Sequence, residues 1–180
     1  MTRFTCLLLL SGVALAAPVP KDAGKNVIYF PTTVGAKWVY EGADGETEEV
    51  EVYEVEKDGD GLVVGRRRVG ETRPYTKMIV SAEGLRQPPD RGVENGWVLK
   101  AKLESGKSWE TPDGKRTVYG PEEVKVGAGT FQALKVVWEA EGQTLTSWYA
   151  PGIGEVKRTI KRGGVETVYR SLKSFTEGKK

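Results

Sequence analysis

Carboxylates are the main catalytic tools this sequence offers. Its 180 residues contain no histidine and a single cysteine, Cys6. There is therefore no imidazole base, no Ser-His-Asp or Cys-His arrangement and no histidine ligand for zinc. Cys6 falls in the expected leader, so the mature chain has no thiolate nucleophile, thiolate cluster or redox pair. No Ser-x-x-Lys spacing, P-loop or helix-opening G-x-G-x-x-G occurs. Gly127-Ala128-Gly129 has the wrong continuation for the last of these and fits a tight hairpin. Glu46, Glu48, Glu49, Glu51, Glu54 and Glu56 remain. A glycosidase needs two carboxyls facing across a cleft, about 5–10 Å apart, one with a raised pKa. These glutamates instead alternate with Val50, Val52 and Val55, as on the solvated face of a half-buried strand, where they discourage edge-to-edge pairing. No catalytic, cofactor-binding, metal-binding or ligand-binding residue is assigned, no cofactor is expected, and the chain reads as non-enzymatic.

Three other groups could bind a ligand. Asp58-Gly59-Asp60-Gly61 has the start of a calcium loop, but the strand-like Leu62-Val63-Val64-Gly65 follows directly where further ligands are needed. A plain turn is the reading. In Arg66-Arg67-Arg68, alternation sends Arg67 to the face opposite its neighbours, so the three cannot form one patch. Pairing with the glutamate-rich strand at the surface is expected, and binding of an anionic envelope polymer is the alternative. The five tryptophans could stack on sugars or line an apolar pocket. Trp38, Trp138 and Trp148 lie in strand patterns and read as core; Trp97, beside a loop, reads as exposed.

The elements that must carry these residues are short and numerous. Turn signals recur along the chain: Asp44-Gly45, Asp58-Gly59 with Asp60-Gly61, Glu83-Gly84, Asp113-Gly114, Gly120-Pro121, Glu141-Gly142 and Gly163-Gly164. Between them lie runs rich in Val, Thr, Tyr and Trp, and Asp-Gly between such runs is a strong hairpin signal. The pattern predicts about nine or ten antiparallel strands in meander order and no long helix. Lys100 to Lys107 allows a turn or two of helix but lacks an N-cap. Leu134, Val136 and Trp138 share one face of the longest amphipathic strand and are predicted core. Ala150-Pro151-Gly152-Ile153 predicts a type II turn with Gly152 at positive φ.

Two motifs echo each other. Gly35-x-x-Trp38 is followed by Asp44-Gly45, and Gly106-x-x-Trp109 by Asp113-Gly114. Two similar sheet halves, near 35–86 and 106–158, fit this, as do independent hairpins opened by Gly-x-x-Trp. The stretch 87–96 between them is the longest expected loop. The fold class is all-β: a single antiparallel meander domain, either a strongly curved sheet or an open barrel.

Gly129-Thr130-Phe131-x-Ala133-x-Lys135-Val136, followed by Trp148-Tyr149-Ala150-Pro151-Gly152-Ile153-Gly154-x-Val156-Lys157, resembles the C-terminal signature of a family of exported bacterial β-rich domains of unknown function. The family's N-terminal signature resembles Pro31-x-x-x-Gly35-x-x-Trp38-x-Tyr40. A central Gly-x-x-Trp resembles Gly106-Lys107-Ser108-Trp109. The likeness spans residues 27–175. It implies fold and export, and no activity.

Residues 1–16 read as a signal peptide, with Arg3, an apolar run from Leu7 and the small-x-small site Ala14-Leu15-Ala16. Residues 17–26 form a flexible lead-in, 27–176 the β domain and 177–180 a polar tail. No later stretch has the ~18 apolar residues of a transmembrane segment. Near-neutral net charge, formally +2, argues against nucleic acid. The expected role is an exported, non-catalytic module, periplasmic or extracellular, acting in binding or assembly on an unknown ligand or envelope protein. An apolar-ligand carrier is one form of this, since curved sheets can enclose a cavity. The alternatives are a carboxylate-dependent glycan hydrolase and a sugar-binding module using exposed tryptophan.

Overall fold

The computed structural model describes residues 27–88 and 96–179. The expected signal peptide with Cys6, the expected lead-in, most of the 87–96 loop and Lys180 lie outside the described residues. Twelve strands make one antiparallel sheet: β1 (Lys37–Glu41), β2 (Thr47–Asp58), β3 (Gly61–Arg68), β4 (Thr76–Ser81), β5 (Gly84–Arg86), β6 (Trp97–Lys100), β7 (Ser108–Thr111), β8 (Gly114–Val126), β9 (Gly129–Ala140), β10 (Gln143–Ala150), β11 (Gly154–Arg162) and β12 (Val165–Thr176). Among the described residues there is no helix; in the stretch from Lys100 to Lys107, Lys100 ends β6 and the remaining residues form turns and bends.

The sheet order is β6-β5-β4-β3-β2-β1-β12-β11-β10-β9-β8-β7. Each strand pairs with its chain neighbours except at β6 and β7, which do not pair with each other, and β1 also pairs with β12, Lys37 lying opposite Thr176. The sheet thus curls into a nearly closed barrel with one unsealed seam, between β6 and β7. Across that seam the Trp109 indole Nε1 donates to the Trp97 carbonyl at 3.0 Å. The sheet has two more strands than the upper expectation because β5, β6 and β7 are only three or four residues long. They carry too little alternation to be counted from sequence.

Most turn signals mark hairpins, but Gly120-Pro121 does not. It lies inside β8, where the register against β9 jumps between Tyr119 and Glu122. Proline has no N–H for the ladder, so a bulge is the place a central strand can accept it. Ala150-Pro151-Gly152-Ile153 is the expected turn: Gly152 has φ 72°, and the Ile153 N–H donates to the Ala150 carbonyl at 3.2 Å.

Trp38, Tyr40, Val50, Val52, Val64, Val80, Val118 and Leu172 are fully buried. They come from strands all round the ring, so the core is the barrel's own interior. The segment before β1 folds over the end of the barrel that holds the β10–β11 turn. There the Ile28 carbonyl accepts from Gly152 N–H at 2.7 Å, and Phe30 packs on Trp38 at 5.6 Å between ring centroids. Leu134 and Val136 are buried as expected, whereas Trp138 is only half-buried. Its ring lines a hollow in the lumen.

Candidate binding site

The hollow has a volume of about 300 Å³, and its lining includes four arginines, Arg66, Arg116, Arg158 and Arg170, but only two acids, Glu155 and Asp113. Cationic side chains are among the least often buried, so such a lining needs an account.

Strand irregularities aim three of these groups inward. Glu155 and Arg158 are three residues apart on β11, a spacing that puts side chains on opposite faces of a regular strand. Here Tyr149 pairs with Glu155 but Trp148 pairs with Lys157, so Val156 is the extra residue of a bulge. Both Glu155 and Arg158 consequently face the lumen. A second register shift, between Arg158 and Thr159, sets Arg158 opposite Arg170 on β12. The Glu155 carboxylate accepts from Arg170 Nε at 2.5 Å and from Arg158 Nε at 3.0 Å, with Arg158 Nη2 also in contact. Burial alone would raise the Glu155 pKa. Arg158 and Arg170 more than offset it and hold the carboxyl at about 2. Burial, reinforced by Glu155, pushes the Tyr149 phenol up.

Arg66 differs from this triad. It is 6% exposed, and its Nε and Nη2 both donate to Thr76 Oγ1, at 3.1 and 2.7 Å. Its guanidinium lies 5.0 Å from the Phe30 ring centroid, 5.7 Å from Trp38 and 5.8 Å from Tyr75. No carboxylate among the described residues forms an ion pair with it. Burial lowers its pKa, yet arginine stays charged in proteins. Aromatic faces and one hydroxyl compensate a buried charge only in part.

On the β8–β9 side, Arg116 and Trp138 are register partners, and the guanidinium lies 5.7 Å from the indole. Arg116 Nη2 reaches Asp113 at 3.2 Å. Arg116 Nε and Trp138 Nε1 are buried and have no hydrogen-bond partner among the described residues. Such orphaned donors are uncommon in folded proteins.

The expectation for the arginine run holds for two of its three members. Arg67 pairs with Glu51 at 2.8 Å on the outer face, and Arg68 with Glu48 at 2.5 Å at the rim. Arg66 is a correction: it is inside the barrel, because the face it shares with Val64 is the lumen face. Glu48 shares its face with Val50 and Val52 and comes within 3.9 Å of Arg170. Glu49 and Glu56 are exposed, while Glu51 and Glu54 are partly covered by their cation partners. Asp58 to Gly61 forms the β2–β3 turn. None of the five tryptophans is exposed; Trp97, expected outside, is half-buried at the seam.

The sequence reading missed Glu155, Arg158, Arg170 and Arg116. The available signal was their position in strands predicted to have a buried face, but the bulges that select that face leave no mark in the alternation.

No family model matches this chain, and no curated protein matches it. Two solved structures share its fold. One is a candidate exported protein with a YmcC-like fold from Bacteroides fragilis, 14% identical, with a TM-score of 0.56 over 84% of this chain and all of that one. The other is a candidate lipoprotein from Parabacteroides distasonis, 16% identical, with a TM-score of 0.50 over 85% of this chain and all of that one. The likeness is one of fold.

Proposed function

We propose that this protein is an exported, non-catalytic binding module that holds a small anion in the lumen of its barrel. Arg66 carries the reading: a buried cation, without a carboxylate partner among the described residues, lines a cavity. An uncompensated charge in such a place costs stability, and groups that break folding rules without local compensation concentrate at functional sites. A ligand carboxylate would supply the missing counter-charge, and arginine's planar fork suits it. A volume of about 300 Å³ is at the small end of ligand pockets, which argues for a compact acid over a long acyl chain. Export is supported by the signal-peptide reading and by the descriptions of the two structural neighbours.

Acid–base hydrolysis is the less favoured use of the same lumen. Glu155 is held ionised by two arginines, the opposite of what a general acid near neutrality needs.

The test is thermal stability of the mature protein at pH 7 and constant ionic strength, with small carboxylates and their neutral amides. Carboxylates are expected to raise the melting temperature through binding linkage. The amides are expected to have no effect, and Arg66→Met to abolish the response. A wild-type melting temperature that responds to no acid would overturn the reading.

A further inference from the structure

One anion beside Arg66 would leave a second pole unsatisfied on the wall opposite. Arg66 is on β3, and Arg116 and Trp138 are on β8 and β9, about half the ring away in the twelve-strand order. All three residues line the same cavity. On the second wall the buried polar atoms that lack partners among the described residues are donors only, Arg116 Nε and Trp138 Nε1. A donor-only pole calls for an acceptor from the ligand. The cavity's four arginines against Glu155 and Asp113 leave an excess of two positive charges.

We infer that the ligand is a dicarboxylate held end to end across the lumen, one carboxylate on Arg66 and the other on Arg116 Nε and Trp138 Nε1. This rests on the lumen-binding reading and specifies its ligand. Two charges on the ligand match the net excess of the lining as a whole, and the second carboxylate supplies the acceptor that Arg116 Nε and Trp138 Nε1 lack. Two separated carboxylates reach both walls, whereas a compact dianion such as phosphate would satisfy one and leave the other's donors orphaned. The aliphatic spacer between the carboxylates would pass the apolar part of the lining, which includes Val136 and Leu145. Trp138 and Arg116 thereby become selectivity residues: they tell a dicarboxylate from a monocarboxylate of equal length.

Calorimetric titration of the mature protein with succinate, glutarate and adipate, and with pentanoate and inorganic phosphate as comparators, tests this. At least one dicarboxylate is expected to bind about 10-fold or more tighter than pentanoate, the effect of one well-made charge-assisted contact. Trp138→Phe keeps a ring and removes the N–H; it should bring the dicarboxylate towards pentanoate and leave pentanoate unchanged. Arg116→Met, the second variant should Trp138→Phe not fold, should do the same. Arg66→Met should weaken both classes of acid. Three outcomes overturn the end-to-end pose while leaving a lumen anion site standing: pentanoate matching every dicarboxylate, both second-wall variants leaving dicarboxylate affinity intact, or phosphate binding tightest. Failure of every acid to bind, or wild-type affinity for both acids in Arg66→Met, defeats the lumen reading itself.

Discussion

Arg158 and Arg170 stand directly opposite each other across β11 and β12, with the Glu155 carboxylate gripped by both. Like charges in facing positions destabilise a sheet. Here one buried carboxylate answers two guanidinium groups, and Arg170 also lies 4.6 Å from the Tyr40 ring centroid. The Tyr40 hydroxyl in turn donates to the Glu155 carbonyl at 2.8 Å. Both arginines are thus fixed by a carboxylate that the fold itself supplies. Arg66, by contrast, has no carboxylate partner among the described residues.

Glu155→Gln should cost about 3–5 kcal/mol, the range for removing one partner of a buried ion pair. The pH dependence follows from the same contact. The folded carboxyl titrates at about 2 and its ordinary value is 4.5. Its stabilisation is therefore complete above the ordinary value and is lost as pH falls through the window between the two. That difference corresponds to about 3 kcal/mol. Urea unfolding from neutral to acid pH should show the wild type losing this increment and Glu155→Gln lacking it. Parallel curves for the two proteins would mean that Glu155 is not held by its arginines.

Trp38 and Trp138 should respond differently to truncation. Trp38 is fully buried, and its indole N–H donates to the Ile153 carbonyl at 2.7 Å. Trp38→Ala should cost about 3–5 kcal/mol. Trp138 borders a hollow, so Trp138→Ala enlarges existing space and should cost at least about 1 kcal/mol less. Equal losses in urea titrations would place Trp138 in packed core.

The seam offers a local test. Trp109→Phe removes the indole N–H that reaches the Trp97 carbonyl and keeps an aromatic ring in place. A loss of about 0.5–1.5 kcal/mol is expected. Amide exchange should quicken at residues 97–100 more than in β9 or β10. Uniform acceleration across the sheet would show that the contact is not a local clasp.

At the β10–β11 turn, Gly152 has φ 72° and open space where a Cβ would point. Strain, without collision, is thus the whole cost of a side chain there. Gly152→Val should destabilise by more than about 1 kcal/mol, and Gly152→Asn by less, because asparagine tolerates this backbone region. Identical melting of both variants and wild type would contradict the turn geometry.

The sequence disclosed the fold class because its strands alternate cleanly and its hairpins carry glycine where φ must be positive. Gly152 is the clearest case. It did not disclose the site, for reasons tied to particular residues. Alternation correctly separated Arg67 from Arg66 and Arg68, but nothing local distinguishes the lumen face from the outer face when both carry charge. Glu155, Arg158 and Arg170 share a face only because two bulges shift the register, and bulges disrupt the period that the reading depends on. The same effect made Gly120-Pro121 resemble a hairpin turn.

The closure of the barrel has a kinetic side. Ten of its neighbouring strand pairs join segments that follow each other in the chain, while the β1–β12 pair joins distant ones; Lys173 and Glu41 meet there across 132 positions. Bringing such remote segments together carries the loop-closure entropy that slows folding. The strand ring itself has no starting point. A circular permutant with its ends joined beside β1 and β12 and its chain opened between β6 and β7 would keep every pairing and make every partner sequential. Cutting at the unsealed seam would sever no ladder, so the permutant should fold faster than the natural order around the same lumen.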